Sequence, residues 1–92
     1  MDTRQNNEAR AIALLTCETA RVLARPKNRV KGDWAHMSTN ELLIHAEVEI
    51  KEARISLALG ESHCATSAEI GDAGAYLAMA LDVLRGNKGE AK

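Results

Sequence analysis

Four acids stand in two pairs, Glu49 and Glu52 in EIKE and Glu69 and Asp72 in EIGD, each spaced i and i+3. On an α-helix that spacing sets both members of a pair on one face. Four carboxylates brought together repel one another, and away from water they need a cation to compensate. Hard oxygen donors with no cysteine among them suit Mg²⁺, with Mn²⁺ as a substitute. A di-iron bundle would need Glu-x-x-His pairs, and the chain contains none.

Each candidate also has a plainer reading. ExxE is common on solvated helix faces. Thr66-x-x-Glu69 fits a capping box, in which Glu69 would serve the backbone of Thr66. His45 is as readily a helix-flank histidine as a ligand, and Trp34 as readily a hydrophobic anchor as a stacking platform. The basic residues Arg25, Lys27, Arg29 and Lys31 read as a solvated loop or as a phosphate contact. The joint pattern separates the two views: ExxE, sixteen residues, then ExxD.

Helices must position these acids. The chain is rich in Ala, Leu, Glu and Arg, holds one Pro and shows no strict apolar alternation. A first helix is expected from about Asn7 to Ala24, stopped by Pro26. Ser38 and Glu41 in STNE form a capping-box pattern opening a second helix, which runs to Leu59 with Gly60 as its stop. A third begins near Thr66–Ala68 and ends around Arg85 and Gly86, leaving 87–92 as a frayed tail.

On a wheel at about 100° per residue, the second helix carries two apolar arcs. One holds Leu42, Leu43, Ala46, Ile50, Ala53 and Leu57, the other Ile44, Val48, Ile55 and Leu59. A helix with two apolar arcs is expected to pack on two sides, which would aim the strip His45, Glu49, Glu52 and Ser56 into a cleft. In the third helix Glu69 and Asp72 share a face with Tyr76, Met79, Ala80 and Val83. Gly71, Gly74, Ala75 and Ala78 form a small-residue side, expected to admit another helix closely. Short connections imply antiparallel neighbours. The expectation is one all-α domain over residues 1–92, with its core at about 7–86: an antiparallel bundle of three main helices completed by dimerisation.

Composition narrows the function. Ninety-two residues with only Trp34 and Tyr76 as aromatics make a small core, which self-association would reinforce. A net charge of −1 argues against a general nucleic-acid or membrane-surface binder. Cys17 and Cys64 lack metal-type spacing and are expected as free thiols. No apolar run approaches a membrane span and the first residues are too polar for a signal peptide, so a cytoplasmic protein is expected.

The joint motif resembles the MazG-type all-α nucleoside triphosphate pyrophosphohydrolases, whose signature is ExxE, a variable spacer, then ExxD. KNRVKGDW, MSTNELL, EIKEA and EIGDAGAYLAMALD together resemble a small single-domain branch of that family, over residues 27–84. The chain departs from the family pattern at Val48, where a second acid is usual, at Ala75, where the branch has Asn, and at Arg29 and Val30. The resemblance implies Glu49, Glu52, Glu69 and Asp72 as ligands of Mg²⁺, with Glu52 the carboxylate that helps deprotonate the attacking water. It places Lys31, Trp34 and Tyr76 near the substrate. It implies hydrolysis of a (deoxy)nucleoside triphosphate at the α-phosphate to monophosphate and pyrophosphate, by a homodimer or a dimer of dimers. The alternative is a non-catalytic helical dimer that binds a nucleotide or another protein.

Overall fold

The computed structural model describes residues 3–25 and 34–86. It is all-helical there: α1 (Thr3–Leu23), a single 3₁₀ turn at Trp34–His36, α2 (Thr39–Ala58) and α3 (His63–Leu84). No described helix is long and apolar enough to cross a membrane.

The caps follow local chemistry. Ser38 Oγ accepts from the Glu41 amide at 3.0 Å, and Glu41 Oε1 accepts from the Ser38 amide at 2.8 Å. The expected capping box is therefore formed. At the other end Gly60 takes a φ of 72°, and the amides of Gly60 and Glu61 donate to the carbonyls of Leu57 and Ser56. That pattern lets the chain reverse within a few residues.

The third helix starts earlier than its sequence suggests. Ser62 is its N-cap, accepting from the Ala65 amide at 3.1 Å. Thr66 therefore lies inside α3 and its hydroxyl meets the buried Ser56 at 2.8 Å. The capping role open to Glu69 falls away, because Glu69 sits nearly two turns into the helix.

α2 and α3 form an antiparallel hairpin. Ser56 meets Thr66, His45 meets Tyr76, and Leu42 packs with Ala80 and Val83. The face of α2 turned to α3 carries Leu42, Ala46, Glu49, Ala53 and Ser56, the steps of three and four that keep residues on one side. Trp34, Met37, Tyr76 and Met79 pack against the Leu42–Ala80–Val83 cluster.

α1 packs on α3 alone; it does not pack on α2. The contact lies at Gly71 and Gly74. A Cβ on Gly71 would sit 3.1 Å from the Glu18 carbonyl oxygen, and one on Gly74 would overlap Thr19 Oγ1. The small-residue side of α3 thus admits another helix closely, as expected, and at these glycines that helix is the chain's own first.

Two consequences remain on the surface. Between α1 and α2, over α3, lies a groove of about 760 Å³ lined by Leu15, Leu23, Ile50, Leu57, Ile70 and Leu77 among others. Among the described residues the second apolar arc of α2 stays open: Ile44, Val48, Ile55 and Leu59 are all exposed. The expectation that α2 packs on two sides is therefore corrected for the described part of the chain, in which one side is covered. The buried apolar core comes to Val22, Leu42, Val83 and four alanines.

Candidate functional site

The hairpin register brings the two acid pairs face to face. Glu49 lies on the covered face of α2, one turn after His45, and Glu69 and Asp72 lie on the facing turn of α3. Carboxylate oxygens of Glu49, Glu69 and Asp72 fall within 4.8 Å of one another, and all three residues are half-buried. Glu52 is exposed at the rim, yet close enough to hydrogen-bond Glu69. Sequence reasoning paired the four acids; the structure gathers three tightly and holds the fourth beside them.

The electrostatics follow from that crowding. Burial, and then the charges of Glu52 and Asp72, raise the Glu49 carboxyl from 4.5 to about 7. A hydrogen bond to Glu69 keeps the proton on Glu49. Glu69 is also raised, by burial first and the Glu52 charge second. The Tyr76 phenol is pushed up by burial and by the neighbouring Glu49 and Asp72 charges. Each of these shifts reports negative charge held close with too little water around it.

A cation from the chain reaches the cluster. Arg25, two residues past the end of α1, donates from Nη1 to Asp72 Oδ1 at 3.2 Å. Arg25, Glu49, Asp72 and Tyr76 line a pocket of about 120 Å³, with Val22, Ala75 and Met79 forming the rest of its wall. The sequence shows Arg25 only as the first of a basic run; no local signal tells which helix its side chain meets. His45 stacks on Tyr76, ring centroids 4.9 Å apart and planes 15° from parallel.

The remaining candidates divide. Tyr76 lies at the acids, as expected. Trp34 packs on the core and its indole nitrogen donates to Asp82 Oδ2 at 3.4 Å, so it sits as a hydrophobic anchor. Lys31 lies outside the described residues. Cys17 and Cys64 are free and exposed.

The donor set fits a hard divalent ion. Mg²⁺–oxygen distances of about 2.1 Å set opposite ligands about 4.2 Å apart, and the longer bonds of Ca²⁺ allow nearly 5 Å. One oxygen of each carboxylate lies within 4.8 Å of the others; neighbouring ligands of Mg²⁺ stand about 3 Å apart, so the three side chains would have to draw together around the ion. Glu49, Glu69 and Asp72 would hold the ion, with Glu52 at its open side. The larger cavity, the apolar groove, has no carboxylate in its lining and lacks the means for this chemistry. No protein-family model, curated protein or solved structure matches the chain, and the reading of the site rests on its own residues.

Proposed function

We propose that the chain is a Mg²⁺-dependent nucleotide pyrophosphohydrolase, converting a nucleoside or deoxynucleoside triphosphate and water to the monophosphate and pyrophosphate. One observation carries the reading: half-buried carboxylates from two antiparallel helices converge within 4.8 Å of one another, where burial first and the neighbouring Glu52 and Asp72 charges second raise the Glu49 carboxyl to about 7. A triphosphate would be repelled by these acids alone. A divalent ion held there reverses the sign of the pocket and withdraws charge from the phosphate oxygens.

The chain's own residues supply the rest. Glu52 is exposed beside the cluster, and its charge raises the Glu69 carboxyl; as the solvent-facing acid it is suited to accept a proton from the water that attacks the α-phosphorus. As the P–O bond to the β-phosphate breaks, the leaving pyrophosphate carries the developed charge. Tyr76 forms part of the pocket wall, and its ring stacks on His45.

The same reading has two copies act together. Among the described residues three large aliphatic side chains, Val22, Leu42 and Val83, are buried, a thin core for a chain of this length. A second copy seated in the 760 Å³ groove would cover Leu15, Ile50, Leu57, Ile70, Leu77 and Leu81. All six stand between 45% and 69% exposed, so a partner covering them would take apolar surface out of water.

The test is to incubate the protein with a panel of nucleoside triphosphates and Mg²⁺ or Mn²⁺, following pyrophosphate and monophosphate together. Release of both in equal amounts, with at least ~100-fold loss in Asp72→Asn and Glu49→Gln, supports the proposal. Absence of pyrophosphate with every nucleotide overturns it. The non-catalytic alternative has one observation of its own: Arg25 on Asp72 and the proton on Glu49 offset part of the charge from within the chain. It predicts nucleotide binding or none, no turnover, and no stabilisation by Mn²⁺.

A further inference from the structure

We propose that Arg25 is an internal counter-ion for the acid cluster, exchanged for a divalent cation when one binds and thereby released to a phosphate of the ligand. The inference rests on the metal-dependent reading above and adds to it a residue and a sequence of events.

The geometry gives the reasons. Arg25 does not belong to either acid-bearing helix; it comes from the end of α1. Its backbone is fixed by the helix-end turn, the Ala24 amide on the Ala20 carbonyl and the Arg25 amide on the Val22 carbonyl. From there the guanidinium crosses to α3 and engages Asp72 through one nitrogen only, at 3.2 Å. A carboxylate and a guanidinium at full strength pair through two parallel bonds, so this contact leaves donors of Arg25 uncommitted toward the pocket. About a third of the Arg25 side chain and a quarter of Asp72 remain exposed, which leaves the arginine room to swing without unfolding α1.

Competition then follows from charge. Asp72 joins Glu49 and Glu69 through one of its carboxylate oxygens, and its Oδ1 holds Arg25. A guanidinium on that oxygen and a divalent ion beside it repel one another at close range. The ion carries twice the charge and takes several carboxylates at once, so it displaces the arginine from Asp72. The released guanidinium stays tethered to α1 at the mouth of a pocket of about 120 Å³. That volume holds a phosphate group or about four waters. The planar fork of arginine matches phosphate oxygens. Among the described residues, the ion pair made to this acid quartet is the one from Arg25.

The exchange makes opposite predictions for the two ligands, which a merely structural salt bridge would not. Free Mn²⁺ is measured by electron paramagnetic resonance while the full chain is titrated, without nucleotide. Arg25→Ala should bind Mn²⁺ about three- to tenfold tighter than the unmodified chain, because a competing cation has gone. With Mn²⁺ saturating, the same variant should bind a non-hydrolysable triphosphate analogue at least ~tenfold more weakly, and Arg25→Lys should recover part of that loss. Circular dichroism checks folding, and Arg25→Gln, which keeps the stem, replaces the alanine variant should that one unfold. Unchanged or weaker Mn²⁺ binding in a folded Arg25→Ala or Arg25→Gln chain overturns the inference. If the unmodified chain binds Mn²⁺ and Asp72→Asn does not, the metal reading survives that failure. If the unmodified chain binds no Mn²⁺, both fall.

Discussion

Replacing Glu49 with Gln should stabilise the metal-free protein, and only above the pH at which a free glutamate ionises. In the unfolded chain Glu49 loses its proton near 4.5; in the fold it keeps it to about 7. Between those values the folded state binds more protons than the unfolded state, so stability falls as pH rises. The contribution is fully favourable below pH 4.5 and is gone above about pH 7, where the folded chain must hold Glu49 charged beside Asp72, Glu69 and Glu52. The whole shift would correspond to roughly 3 kcal/mol. Glu49 is half-buried, and solvent screening reduces this to about 1–2 kcal/mol. Glutamine has the same shape and mimics the protonated acid, so Glu49→Gln removes the penalty. For a chain of this size that raises the melting temperature by about 4–15 °C at pH 8 and by nearly nothing at pH 4. The assay is thermal unfolding in EDTA from pH 4 to 9, with both chains at equal concentration so that any association would enter both midpoints alike. Adding Mn²⁺ at pH 8 should then reverse the order, raising the unmodified chain more than the variant. A variant no more stable at pH 8, or a gain that does not change with pH, would refute the crowding of charge on which the site depends.

Other consequences can be measured directly. Leu77→Asp places a charge in the apolar groove and should halve the mass seen by light scattering at micromolar concentration or unfold the chain; an unchanged dimer mass would move the interface elsewhere. Gly71→Val has too little room for its Cβ against the Glu18 carbonyl and should cost about 1–3 kcal/mol, read as a melting temperature lower by roughly 4–24 °C. An unchanged midpoint would show that α1 does not sit on α3 as described.

Local chemistry, read from the residues alone, determined the helices and their ends. Ser38 with Glu41, and Gly60 after Leu59, act over a few residues, and their hydrogen bonds are the same wherever the helix later packs. The i, i+3 pairing of the acids is equally local, since helix geometry sets both members on one face. Reading the start of α3 from Thr66–Ala68 places it too late: it passes over Ser62, whose hydroxyl takes the Ala65 amide, while Thr66 lies inside the helix against Ser56.

What depends on distant parts of the chain needed the tertiary structure. Hydrophobic periodicity shows which faces of α2 avoid water but not which one finds a partner within the chain, so the exposure of Ile44, Val48, Ile55 and Leu59 was not legible. The glycines of α3 announced a close approach, and a close approach by α1 and by a second copy look alike in sequence. Arg25 stands 47 residues from Asp72, beyond any local pattern. Its meeting with the acids follows from where α1 crosses α3, and that crossing was decided by packing at Gly71 and Gly74 and not by the arginine itself.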